Sequence, residues 1–130
     1  MLYGLKTVTM TKSQEATLEN AELKMLRWSL GWTMLDKVRN ERVRELANVT
    51  RFGEKVRESR LRWYGHVKMK DPEYVGNKVL EMANPGKRRR GRPKGRWKDR
   101  VEKDMREIGA TEEELYDRTK WRNKIRCGDP

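Results

Sequence analysis

Along this chain the apolar residues recur at steps of three and four. Nowhere do they alternate with polar residues for long enough to describe a strand, so the pattern predicts an all-α protein. Thr11 and Gln14 have the spacing of a capping box, and Leu18, Ala21, Met25, Trp28 and Trp32 follow at helical steps, with Gly31 marking the end. A shorter pattern through Leu35, Val38, Val43 and Leu46 is irregular near Asn40, a candidate cap for a fresh helix. From Glu54 to Lys70, Val56, Trp63 and Val67 fall on one side and Arg57, Arg60, Arg62, Lys68 and Lys70 elsewhere, which describes a basic amphipathic helix. Asp71 and Pro72 read as the cap and first position of a helix through Val75, Val79 and Met82 that stops at Asn84, Pro85 and Gly86. Trp97, Val101, Met105 and Ile108 form the cleanest stripe, closed by Gly109. Thr111 and Glu114 then repeat the capping-box spacing ahead of Leu115, Trp121 and Ile125. The expected architecture is a small bundle of about six helices with a basic loop containing Gly and Pro. Its expected divisions are a poorly ordered start over 1–10, a helical part over 11–84, the loop over 85–96 and a helical hairpin over 97–130.

Composition narrows the partner. Lys and Arg number 32 against 20 Asp and Glu, a net charge of +12, while apolar residues make up only 35% of the 130. Such a surplus repels itself until a polyanion neutralises it, which points to RNA or DNA. Membrane surfaces attract the same charge, but no apolar run approaches the ~18 residues that a span requires, and no basic stretch leads into a short hydrophobic one. A soluble intracellular protein is expected. Cys127 is the single cysteine and His66 the single histidine, so no intrachain disulfide forms and no four-ligand zinc site can be assembled. No metal and no cofactor are expected. No motif places a Ser or Cys beside His66, which favours a surface or packing role over a catalytic one.

The charge is concentrated in "GKRRRGRPKGRWKDR", from Gly86 to Arg100. Here Lys87, Arg88, Arg89, Arg90, Arg92, Lys94, Arg96, Lys98 and Arg100 stand against Asp99, a net of +8 within the chain's net of +12. Gly86, Gly91, Pro93 and Gly95 oppose helix formation over most of the segment. An extended basic segment of this kind can follow a phosphate backbone, and each phosphate it neutralises releases counterions. "RGRP", from Arg90 to Pro93, also resembles the AT-hook of minor-groove DNA-binding proteins, in which arginines enter the narrow groove of A·T-rich DNA. A solvated connector is the third reading, and a nuclear localisation signal is compatible with any of them.

Five segments carry a wider resemblance: "MLRW" (25–28), "DKVRNERVRE" (36–45), "EKVRESRLRWYGHV" (54–67), "PGKRRRGRPKGRW" (85–97) and "DRTKWRNKIRCGDP" (117–130). In this order and spacing they resemble the C-terminal end of reverse transcriptases encoded by non-LTR (LINE-type) retrotransposons, over nearly the whole chain. The start departs from that pattern, reading Tyr3-Gly4-Leu5-Lys6 where the family has Tyr-Gly-Ala-Glu. The resemblance implies a thumb and post-thumb region that grips RNA or an RNA–DNA hybrid, lacks the polymerase palm and the endonuclease, and belongs with the remainder of a retroelement polyprotein. The basic loop, as a nuclear localisation signal, makes the nucleus the expected compartment, with the cytoplasm as a second. Asp36, Asp71, Asp99, Asp104, Asp117 and Asp129 are scattered and form no paired site for two catalytic metal ions, so no enzyme activity is expected. Arg57, Arg60, Arg62 and Lys68 would join the loop in phosphate contacts, and Tyr64 would stack a base. Trp28, Trp97 and Trp121 are read as core, whereas Trp63 and Tyr64, set among Arg60, Arg62 and His66, fit core and stacking equally. Two rival readings remain: a chromatin protein whose whole function is the A·T-directed loop, and a retroelement remnant with no selected role.

Overall fold

A computed structural model describes residues 4–82, 86, 90–92 and 95–127. Among these, the regular structure is six α-helices and three short 3-10 segments, with no strand, so the protein is all-α as the periodicity requires. Contacts group the chain into two compact units, one formed by residues 10–58 with 126–127, the other by 4–9 with 59–125. These groupings differ from divisions at 10, 84 and 96, because each unit recruits residues from the opposite end of the chain.

In the first unit, α1 runs Lys12–Ser29. Its start is the capping box expected from the sequence: the Gln14 N–H donates to Thr11 Oγ1 at 3.3 Å and the Thr11 N–H to Gln14 Oε1 at 2.9 Å. It ends where Gly31 adopts φ 72° and the Trp32 N–H reaches back to the Arg27 carbonyl at 2.8 Å. The expected apolar face is wrong. Leu23 and Arg27 are the buried positions of α1, whereas Met25 is exposed and Trp28 is 85% exposed. Leu23 and Met25 stand about 200° apart around a helix, so burying one turns the other to solvent. Arg27 belongs inside because its Nη2 donates to the Val38 carbonyl at 2.6 Å and to Asn40 Oδ1 at 2.8 Å, groups that burial would otherwise leave unpaired.

Asn40 is therefore an acceptor for Arg27 and not a cap. It is the first residue of α2, Asn40–Ala47, whose N-cap position is Arg39 and whose end is Asn48 in the left-handed region at φ 53°. Val43 alone of the expected apolar set is fully buried there, while Leu35 is 87% exposed. Glu19 on α1 accepts from Arg44 at 2.6 Å and from Arg51 at 3.5 Å, joining the helices through one carboxylate.

Helix α3, Phe52–Lys68, begins in this unit, where Phe52 and Val56 are buried. The buried Cys127 closes the unit: its N–H donates to Glu58 Oε2 at 3.1 Å and its thiol to the Glu54 carbonyl at 3.0 Å. Burial, seconded by the charge of Glu58, pushes that thiol above its ordinary range.

The second unit has a single core of Leu61, Tyr64, Val101, Met105, Leu115, Trp121 and Ile125. The last five lie on α5 (Trp97–Ile108), on the 3-10 segment Glu112–Tyr116 and on α6 (Arg118–Ile125). The α5 stripe is as expected, and Gly109 closes it at φ 64°. The continuous helix expected after Thr111 is two pieces. The Glu114 carboxylate takes the Thr111 N–H at 3.0 Å over a 3-10 turn, and α6 starts afresh where Asp117 Oδ1 accepts from the N–H groups of Thr119 and Lys120 at 3.1 and 3.2 Å.

Asp71 and Pro72 do not open α4. They form a turn in which the Tyr74 N–H bonds the Asp71 carbonyl at 2.8 Å, and α4 spans Val75–Glu81. The buried residue of α4 is Asn77, whose Nδ2 donates to the carbonyls of Lys70 and Asp71 at 3.2 and 3.1 Å, while Val75, Val79 and Met82 are exposed. Leu80, one turn beyond Asn77, packs against the core, so the inward face of α4 carries that leucine and an amide that satisfies two turn carbonyls. The start of the chain is also fastened: Leu5–Thr7 is a 3-10 turn, and the Trp97 indole donates to the Lys6 carbonyl at 2.8 Å.

Candidate nucleic-acid interface

Two of the side chains expected to touch nucleic acid are turned inward. Arg60, 2% exposed, forms an ion pair through Nη1 with Oδ2 of Asp104, itself 3% exposed on the buried face of α5. A guanidinium held in this way makes no phosphate contact. Burial pushes the Asp104 carboxyl up from its ordinary value, and Arg60, with Arg100 behind it, opposes that rise. Tyr64 is likewise 3% exposed, with its hydroxyl 3.3 Å from Glu112 Oε1. Burial and the Glu112 carboxylate push its phenol up to about 12. Tyr64 is a core residue and stacks no base. A basic helix with a strongly polar pattern hides both facts, because an inward Arg is legible only with its distant acid in view.

The other expected contacts are spread out. Arg62 is exposed, and Lys68 is half-buried with its Nζ 5.9 Å from the centre of the Tyr64 ring. Arg57 is half-buried beside Cys127 in the first unit, and Arg100 is half-buried on α5. Arg90, Arg92, Arg96 and Lys98 are exposed. Lys87, Arg88, Arg89 and Lys94 lie outside the described residues. Where the basic segment meets α5, the Arg96 N–H is taken by Asp99 Oδ2 at 3.1 Å, so Asp99 serves the helix start.

A different set of cations converges in the second unit. The exposed side of α3, the end of the Lys6 turn and α6 enclose an open groove of about 660 Å³. Its lining includes Lys6, Arg62, Lys70, Arg118 and Arg122, and no Asp or Glu. Arg118 and Arg122 are one turn apart on α6 and reach the same space. Their neighbours Lys120 and Lys124 are paired with Asp117 at 3.6 Å and Glu114 at 3.0 Å, whereas Arg118 and Arg122 have no ion-pair partner among the described residues.

Aromatic groups line the same groove. Trp63 is stacked with His66, and Lys6 Nζ stands 4.9 Å from the Trp63 ring centre. Gly65 and the buried Trp121 form the floor. A side chain at Gly65 would strike the Trp121 indole at 2.5 Å, which is why glycine occupies a helical position here. That close approach lets the Trp121 N–H donate to the Leu61 carbonyl at 3.3 Å. Of the tryptophans read as core, Trp121 is in it and Trp97 packs against it, while Trp28 is not buried.

Sequence reasoning missed Lys6, Lys70, Arg118 and Arg122 as a group. The one available signal was the pair Arg118 and Arg122 at helical spacing without an acid between them. Among the described residues no cluster of His, Cys, Asp or Glu could hold a metal ion, and no helix is long and apolar enough to cross a membrane. The chain matches no protein-family model, no curated protein and no solved structure.

Proposed function

We propose that this chain is a nucleic-acid-binding module whose second unit holds RNA or an RNA–DNA hybrid by its phosphates and performs no chemistry alone. The observation that carries this reading is the groove in which Lys6, Lys70, Arg118 and Arg122 converge, with no Asp or Glu in its lining. Four like charges facing one space repel one another, and a polyanion is the ligand that relieves them. The exposed Arg90, Arg92, Arg96 and Lys98 extend the positive surface along the chain. The order of motifs that resembles the C-terminal end of a LINE-type reverse transcriptase supports the same ligand class, and the basic loop supports a nuclear site of action.

Filter binding across a range of salt tests the proposal. If these four groove cations each meet a phosphate of a single strand, the log–log slope should lie near −2.8, about −0.7 for each phosphate neutralised. The Arg118→Gln/Arg122→Gln variant should flatten it by roughly 1.4. A slope near zero, or unchanged binding by that variant, refutes the proposal.

One observation favours a second reading. Gly91 has φ 122° with Arg90 and Arg92 exposed on either side, a conformation that brings backbone close to a surface and suits a minor-groove hook. On that reading a minor-groove drug displaces the protein from A·T-rich duplex, and Arg92→Ala abolishes binding to that duplex while binding to RNA persists.

A further inference from the structure

A site that holds phosphates alone is indifferent to bases, and the groove of the second unit is not lined for that. Trp63 and His66, adjacent along one face of α3, lie with ring centres 5.5 Å apart and planes inclined by 25°. Trp63 is half-buried and carries Lys6 against its ring, while His66 is exposed at the groove. The larger ring thus supports the smaller one, presenting an aromatic plane that is already ordered. Arg118 and Arg122 border the same space. Its volume of about 660 Å³ lies within the range that houses one small-molecule ligand, roughly 300 to 1,000 Å³. A base inside a duplex has both faces covered by its neighbours and cannot stack on a side chain without leaving the helix. An unpaired base offers its face freely, and stacking on aromatic side chains is tolerant of sequence because every base has a π-face.

We infer that the groove accepts an unpaired nucleotide, whose base extends the Trp63–His66 stack while its phosphates meet Arg118 and Arg122. The protein therefore prefers single-stranded RNA or DNA to duplex. This inference rests on the nucleic-acid-binding reading above and narrows it: of the ligands named there, the groove takes the unpaired strand in preference to a hybrid.

Fluorescence anisotropy of the full chain with labelled oligouridylate, oligothymidylate and a duplex of equal length tests it, with inorganic polyphosphate as competitor. Both single strands should bind more tightly than the duplex, and polyphosphate should compete poorly for its charge. His66→Ala should lower single-strand affinity about tenfold, the effect of losing one base stack, and bring the ratio of single-strand to duplex affinity near one. Trp63→Leu should do the same by removing the support. His66 is exposed and outside the core, so its variant keeps the fold and remains decisive if Trp63→Leu does not. Equal wild-type affinity for duplex and single strand, effective competition by polyphosphate, or an undiminished preference in His66→Ala overturns the inference while leaving nucleic-acid binding intact. If no nucleic acid binds in dilute buffer, both readings fall.

Discussion

Replacing Gly65 with alanine sets two effects of opposite sign against each other. In an open helix interior the change stabilises by about 0.5–1 kcal/mol, because glycine loses more backbone freedom on folding. Here the added Cβ meets Trp121 Nε1 at 2.5 Å, Trp121 Cδ1 at 3.0 Å and Leu115 Cδ2 at 3.3 Å. Both neighbours belong to the core, so neither can shift without disturbing its packing. Overpacking of this kind costs about 1–3 kcal/mol. Moving the indole off the Leu61 carbonyl leaves buried polar groups unpaired, at roughly 1–3 kcal/mol more. The clash outweighs the backbone gain, and a net loss of about 1–5 kcal/mol is expected. Urea denaturation followed by far-UV circular dichroism measures it. Gly53→Ala is the control: its Cβ meets only the end of the flexible Glu15 side chain, so its stability should stay within about 1 kcal/mol of wild type. A Gly65→Ala protein as stable as wild type, or more so, would refute the packing described for Trp121.

Further substitutions probe what is inside and what is not. Arg60→Met strands the buried Asp104 carboxyl and should cost about 3–5 kcal/mol in urea denaturation, most of it recovered by adding Asp104→Leu. Burial raises that carboxyl against the pull of Arg60, and removing Arg60 raises it further, so the Arg60→Met deficit should shrink as pH falls and grow as pH rises through the raised value. For Tyr64, pushed from 10.0 up to about 12, the fold favours the neutral phenol: its contribution is whole below pH 10 and fades as pH climbs toward 12. That loss amounts to about 3 kcal/mol, and Tyr64→Phe should lack it when the two proteins are unfolded side by side across this range. Parallel losses in wild type and variant would contradict the burial of the phenol. Trp28→Ser should change the unfolding midpoint little, within about 0.5 kcal/mol, while Trp121→Ala should cost about 3–5 kcal/mol.

Helix existence was legible in the sequence because periodicity and caps are local. Thr11 with Gln14 and Trp97-Val101-Met105 with Gly109 carry their instructions within a few residues, and the structure follows them. Facing was less legible. Trp28 looks like core by hydropathy and lies in solvent, whereas Arg27 looks like surface and lies inside, because its donors are needed by Val38 and Asn40 more than ten residues away. The same failure governs Arg60, whose acid is Asp104, and Tyr64, whose acceptor is Glu112. The groove was the least legible feature. Lys6 reaches Trp63 only because the Trp97 indole holds the Lys6 carbonyl, a hydrogen bond across 91 positions that no local pattern announces.

That hydrogen bond and the one from Cys127 to Glu58 have a joint consequence for how the protein is made. Residues 4–9 wait for Trp97, and residues 10–58 wait for Cys127, so neither unit is finished until residues far along the chain from its first helix have left the ribosome. Cutting the gene within α3 would yield two halves that each lack their own final fastening. Expressed together, the halves would have to exchange ends to become whole.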